Sequence, residues 1–327
     1  LIHIALGVGL LGAAAMAPLG LWLHTGRLLL LIGIGLLALV LVPAIGLEIN
    51  GSRRWIDLGF FRLQPAEPVK LFVVIYTAGY LVRKSEELRS FRTGLLAIGL
   101  VLAVITSLLL LQPDFGSAVV IIATVAAMLF LAGMRFLHFF LCALGAGAGL
   151  AVLAVAAPYR MVRITSFLDP WADPFNTGFQ LVQALIAFGR GEWYGVGLGA
   201  SVQKLFYLPH AGTDFLLAVI GEELGFLGVL AVIALFTVLL WRIFAVSRRA
   251  ELRGDAFGAR LAQGAGLLIV LQAMIAMGVN MGVLPTKGLT LPFMSYGGSS
   301  MLACCLAVGM VLGVDRRART TRRRKPA

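Results

Sequence analysis

Asp214 stands where a polar, aromatic-rich stretch, 158–213, runs straight into an apolar segment from Phe215 to Phe244. A carboxylate at the watery end of a membrane helix can take a proton from a hydroxyl or share a cation. At the bilayer centre it would cost about 2.5–3.5 kcal/mol or more, so an acid in such a place is a functional candidate by default. The same place also suits a helix cap, because short oxygen side chains accept from the free N–H groups of a first turn, and spacing leaves both roles open. Glu67 and Lys70 are three apart, on one face of a helix, which suits a structural ion pair as well as a charged cavity wall. Asp114 follows a proline and could cap a helix starting at Phe115 or line the same cavity. Glu222 and Glu223 come two turns beyond Asp214, so one could face a cavity and the other a neighbouring helix.

The elements that must position these groups are membrane helices. Hydrophobic residues make up 60% of the 327, charged residues 13%, and the mean hydropathy is +0.96, values that a soluble domain of this size would struggle to hide. The expected fold is an all-α polytopic membrane protein, a single membrane domain over 1–327. Expected spans are Ile2 to Leu23, Leu28 to Leu47, Val69 to Val82, Gly94 to Leu111, Gly116 to Gly133, Phe136 to Ala157, Phe215 to Phe244, Leu261 to Val283 and Ser299 to Val314. That makes about nine helices, since a backbone in lipid must bond to itself. A large extracytoplasmic loop, 158–213, and a basic cytoplasmic tail, 315–327, complete the layout. Because Leu1 already lies within an apolar run, one further span is expected before it. Ile2 to Leu23 is not read as a cleaved signal, since it lacks a charged leading region.

Positive charge orients the chain. With the C-terminus inside, Arg27, Arg135, the loops 83–92 and 242–260 and the tail carry 18 of the 27 Lys and Arg residues. These charges flank spans in short loops, so a nucleic-acid partner is a poor explanation of the net charge of +12. The tail reads as solvated coil, or as a segment binding anionic lipid or a cytoplasmic partner. Cys142, Cys304 and Cys305 lie in apolar spans without metal-type spacing. Gly195, Gly197 and Gly199 lack the strand and the Gly-Lys-Ser/Thr of a phosphate loop. Nine basic residues fall on the outer face against the usual bias: Arg53, Arg54, Arg62, Lys70, Arg160, Arg163, Arg190, Lys204 and Lys287. Some would pair with local acids. Others would suit a lipid phosphate or diphosphate, for which Arg offers a planar fork and Lys a mobile point charge.

Four outer segments carry nearly all the polar residues that stand out on that face, and their motifs run in order as NGSRRWI with LQPAEPVK, LQPDFGSA, QKLFYLP with TDFLLAVIGEELG, and LPTKGLTLPFMSYGGSS. Pro and Gly in the last break the helix where backbone must line protein or water rather than lipid. From about residue 50 to the C-terminus this pattern resembles the SEDS family, whose members polymerise peptidoglycan in bacterial elongation, division and sporulation. Lys-Gly-Leu-Thr at 287–290 resembles the division branch. The family's ten spans imply a lost first helix, with Ile2 in the second.

The resemblance implies glycosyl transfer from a growing lipid-linked strand to lipid II at the outer face of the bacterial cytoplasmic membrane, at the division septum, with no organic cofactor. It places the family's essential loop acid on Asp214, as general base. Arg54, Lys70 and Lys287 are implied for the leaving diphosphate, and Glu67, Asp114, Ser295 and Ser299 for the same cavity. Mg²⁺ or Mn²⁺ could share that work through Asp214, although no residue pattern identifies an ion. A class B penicillin-binding protein transpeptidase and other divisome membrane proteins are the implied partners. The division branch usually reads Pro-Glu-Ala-His-Thr-Asp in the loop; here His210 and Gly212 stand in place of the Glu and His, which leaves the helper roles of those groups open. A lipid II flippase or a noncatalytic scaffold are the rival readings. The flippase is disfavoured by spans such as Leu28 to Ile45 that carry almost no ionisable groups.

Overall fold

The computed structural model describes residues 2–49, 51–59, 61–89, 94–155 and 158–323. Asn50, Arg92 and tail residues 324–327 lie outside the described residues, as does the side chain of Arg160. The chain forms two compact units, one built from residues 1–139, 239–271 and 298–327 and the other from 140–238 and 272–297.

The first unit opens with helices α1 (Ile2–Met16) and α2 (Leu19–Val40). Pro18 separates them and occupies the cap position of α2, so the span expected to run unbroken to Leu23 stops early. A proline has no N–H to donate and its ring disfavours helix in the residue before it. Pro43 lies just beyond the end of α2 for the same reason. The span expected to reach Leu47 therefore ends at Val40, and the chain turns into strands.

Those strands correct the all-α expectation. β1 (Gly46–Ile49), β2 (Ser52–Asp57) and β3 (Arg62–Leu63) form an antiparallel meander with Leu47 opposite Trp55 and Ile56 opposite Leu63. Gly51 supplies the positive φ (72°) of the first turn. The segment is short and dense in charge, which masked its β-branched and aromatic residues in a search for spans.

Helix α3 (Ala66–Arg83) follows, then α4 (Leu96–Leu111), α5 (Phe115–Leu131) and α6 (Phe136–Val155), which crosses into the second unit. Most of α3 is buried, which places its Glu67 and Lys70 inside protein rather than in lipid. Small residues bring helices close: a Cβ on Gly33 of α2 would lie 3.1–3.2 Å from Val69 and Phe72 of α3.

The stretch 158–213 is not a simple loop. It holds α7 (Pro158–Leu168), α8 (Phe179–Gly191) and a π-helical turn at Gln203–Tyr207. Between α7 and α8 the Asp173 carboxylate accepts from Asn176 Nδ2 (2.9 Å), Thr177 N (3.1 Å) and Thr177 Oγ1 (3.0 Å). The Thr177 N–H, first of all, holds that exposed carboxyl below the ordinary carboxylate range.

Helices α9 (Leu216–Glu251), α10 (Ala256–Asn280) and α11 (Gly298–Arg323) close the chain. Among the described residues, Leu19–Val40, Leu216–Glu251, Ala256–Asn280 and Gly298–Arg319 are long and apolar enough to cross a bilayer, and α1, α4, α5 and part of α6 are shorter apolar helices. The chain is a multi-pass membrane protein. The basic tail is not coil as far as Arg323. It continues α11, with Asp315 paired to Arg249 (3.0 Å) and Arg319 (2.8 Å), and Arg317 to Asp255 (3.7 Å). An i,i+4 pair and two pairs to the α9–α10 turn support that extra helix.

Candidate active site

In the second unit, packing places Asp214 before any chemistry is considered. Ala184 and Ala187 of α8, Leu208, Phe215 and Ala218 form a buried apolar cluster. Phe215 is thus anchored (3% exposed) immediately after Asp214. Two glycines let α8 and the start of α9 touch: a Cβ on Gly191 would overlap the Gly221 carbonyl, and one on Gly221 would strike the Phe188 ring.

Hydrogen bonds then pin the turn that carries Asp214. Asn280 Nδ2, at the end of α10, donates to Asp214 O (2.7 Å) and to Ala276 O (2.8 Å), while its Oδ1 accepts from Ala218 N (3.2 Å). Ser295 Oγ donates to Thr213 O and accepts from Leu291 N (2.9 Å), and Tyr296 N donates to Gly212 O (2.9 Å). Asn280 therefore supplies part of the capping that Asp214's position suggested, because Ala218 is in the first turn of α9. His210 sits at φ 58° and its carbonyl accepts from Thr213 N (3.0 Å) and Phe215 N (3.2 Å). Histidine is among the residues that tolerate this left-handed conformation better than most.

The Asp214 carboxylate is half-buried and faces Gly288, where a Cβ would come 3.1 Å from Oδ2. Lys287, also half-buried, is the preceding residue. The broken-helix segment 281–297 thus brings Lys287, Gly288 and Ser295 to the Asp214 turn within one unit. Among the described residues no three His, Cys, Asp or Glu side chains converge as a metal cage.

Glu222 and Glu223 do something the spacing did not reveal. Helix α9 breaks at Gly225 (φ 65°, ψ −162°). Val196 N and Gly197 N donate to the carbonyls of Glu222 (2.9 Å) and Glu223 (3.1 Å), and Phe226 N and Leu227 N donate back to Glu192 O (2.8 Å) and Trp193 O (3.2 Å). The loop thereby satisfies the backbone groups that the break releases. The side chains hold the same loop. Buried Glu222 accepts from Arg190 Nη1 (2.6 Å), Ser201 Oγ, Val202 N (3.2 Å) and Gln203 N (3.3 Å), and Glu223 accepts from Lys204 Nζ (2.6 Å). Arg190 and Lys204, two of the cations expected on the outer face, are accounted for as these ion pairs.

Gly225 occupies a backbone region that essentially only glycine enters, worth about 1–3 kcal/mol to any other residue. A Cβ there would also lie 2.4 Å from Gly195 N. Gly225→Ala is expected to lower the unfolding temperature of the detergent-solubilised protein by several degrees. Gly35→Ala, on α2 with nothing within 4 Å of the added Cβ, is the control and should be neutral or mildly stabilising.

The other predicted site residues lie in the first unit. Glu67 and Lys70 form the ion pair that their spacing allowed, at 2.7 Å, with side chains 7% and 1% exposed. Arg54 donates through Nε to Gln112 O (3.0 Å) and through Nη2 to Pro113 O, tying β2 to the start of α5. Asp114 caps α5, accepting from Ser117 N (3.2 Å) and Ser117 Oγ (2.8 Å). Ser299 Oγ accepts from Gln64 N (3.0 Å), joining the α3 entry to α11. Arg53 pairs with Glu48 (3.1 Å). Asn280 is the residue that sequence reasoning passed over, because an Asn at a helix end carries no signal of the three backbone groups it serves.

A family model described as FtsW/RodA/SpoVE, cell cycle protein, matches residues 1–320. Curated relatives named probable peptidoglycan glycosyltransferase FtsW include one from Nitrosococcus halophilus, 61% identical over 92% of this chain and 78% of its own length. Another, from Thioalkalivibrio sulfidiphilus, is 54% identical over 96% and 78%. Among solved structures, a chain from a peptidoglycan synthase complex that coordinates polymerization and crosslinking superposes with a TM-score of 0.77 at 32% identity, covering 97% of this chain and 88% of that one. A mutant of the Thermus thermophilus rod shape determining protein RodA gives 0.67 at 28% identity, covering 96% and 86%. On these matches the chain belongs to the FtsW/RodA/SpoVE family of cell cycle proteins.

Proposed function

We propose that this protein is a peptidoglycan glycosyltransferase in which Asp214 acts as the general base of strand polymerisation. The observation that carries the reading is the Asp214 turn, a half-buried carboxylate fixed through its backbone beside Lys287 and Gly288, in a chain 61% identical to a relative of that name. The carboxylate accepts the proton of the 4-hydroxyl on the N-acetylglucosamine of lipid II. The hydroxyl oxygen attacks C1 of the donor strand, and the bond from C1 to undecaprenyl diphosphate breaks. The α-linked diphosphate is replaced by a β-1,4 glycosidic bond, so one base suffices and the configuration inverts. Such a base contributes about 10²–10⁴-fold.

Lys287 is the cation proposed to meet the diphosphate first, because the next residue in the chain, Gly288, lies against the carboxylate. Fixed charge helps most where charge develops in a site that excludes water. By motif alone, Arg54 and Lys70 are proposed for substrate phosphate, and Glu67, Asp114, Ser295 and Ser299 for substrate binding. A divalent ion fits here only with the substrate's diphosphate as its main ligand and Asp214 as the protein's contribution, and no step above depends on it. Nine spans, an outer-face site, a septal location and a transpeptidase partner belong to the same proposal. The partner is supported by the match to a complex of polymerization and crosslinking.

The test is strand formation from purified lipid II in liposomes with the cognate transpeptidase present, alongside an assay of lipid II flipping. Polymer from the wild type, lost in a folded Asp214→Asn variant, is the expected result. Flipping without polymer, unaffected by that substitution, would establish the transporter instead.

A further inference from the structure

We infer that Asn280 is a positioning residue for Asp214, setting where its carboxylate points without touching the substrate. The inference rests on the general-base reading above. Asn280 is 2% exposed, so a substrate does not reach it. Its carboxamide nevertheless uses both ends on the segment that matters. Nδ2 donates to the carbonyl of Asp214 itself (2.7 Å) and to Ala276 O (2.8 Å), while Oδ1 accepts from Ala218 N (3.2 Å), four residues further along.

One side chain thus spans the Asp214 peptide and the first turn of α9 and ties both to the last turn of α10. Rotation of the Asp214 peptide is what would swing the carboxylate away from Gly288, and that is the motion the Nδ2 bond opposes. Ser295 restrains the preceding carbonyl, at Thr213, so two successive carbonyls are held by two side chains from different segments. A carboxamide is required because the site needs a donor and an acceptor in one planar group. Serine offers both on a single short-reaching atom, and Asp or Leu lacks the donor. Misplacement by about 1 Å can cost about 10²-fold in rate.

The experiment measures initial rates of lipid II polymerisation for wild type, Asp214→Asn, Asn280→Leu and Asn280→Asp in liposomes with the cognate transpeptidase, together with unfolding temperatures. Asn280→Asp retains the acceptor for Ala218 N but sets a carboxylate oxygen against the carbonyls of Asp214 and Ala276 at neutral pH. It therefore keeps one anchor and keeps the comparison open should the Leu variant fail to fold. Both Asn280 variants are expected to lose about 10- to 100-fold in kcat with KM for lipid II within about twofold of wild type, the signature of a lost transition-state arrangement rather than lost binding. A folded Asn280→Asp with wild-type kcat would overturn the inference, and so would a raised KM at unchanged kcat. Failure of the parent reading looks different: the wild type would make no polymer, or Asp214→Asn would be fully active.

Discussion

Asp214→Asn is expected to reduce strand formation by about 10²–10⁴-fold while leaving the protein folded. The two halves of that expectation have separate causes. Asparagine has the size of aspartate but cannot accept the hydroxyl proton in the transition state, so the chemical step loses its base. The fold is spared because the turn is held through groups that the substitution does not change: the Asp214 carbonyl on Asn280, the Thr213 carbonyl on Ser295, and Phe215 in the α8–α9 cluster. Polymer yield from lipid II, read beside the unfolding temperature, checks both. Asp214→Glu should recover little, because Gly288 packs close to Oδ2 and an added methylene displaces the carboxylate. Activity within threefold of wild type for a folded Asp214→Asn would remove the general base from the mechanism.

Lys70→Met should be the most destabilising charge substitution in the first unit. Glu67 would be left buried without its ion-pair partner, and removing one partner of a buried pair costs about 3–5 kcal/mol. The double substitution Glu67→Gln with Lys70→Met should recover much of that loss, since two neutral side chains of similar volume carry no unpaired charge. A double-mutant cycle on unfolding temperatures measures the coupling, and polymerisation of the double variant separates structure from catalysis. A stable but inactive double variant would assign Lys70 or Glu67 to the diphosphate site. An unstable single with an active double would make the pair purely structural. A small effect of Lys70→Met on stability would contradict the burial that the pair displays at 7% and 1% exposure.

By itself the sequence determined the membrane class and the approximate placing of the apolar helices, and it singled out Asp214 as the candidate for base chemistry. Each rests on local properties: unbroken apolar runs, charge counted loop by loop, and motifs read in order. It also left pairs of roles open that tertiary structure decided. Glu67 and Lys70 pair, and Asp114 caps α5, because burial makes an unpaired charge or a free helix end costly. Pro18 and Pro43 were visible in the chain, yet hydropathy averages over them, so α1 and α2 end earlier than expected and a β-meander fills the gap. The break at Gly225 could not be read from a glycine in an apolar run. It exists because a loop some thirty residues earlier in the chain bonds the carbonyls of Glu222 and Glu223, and backbone groups released in a membrane protein must find such partners. Asn280 is the same lesson at the site. Its value lies in which backbone atoms come within hydrogen-bonding distance of one amide, and that is set by the packing of α10 against the start of α9, a relation between residues more than sixty positions apart that no local pattern encodes.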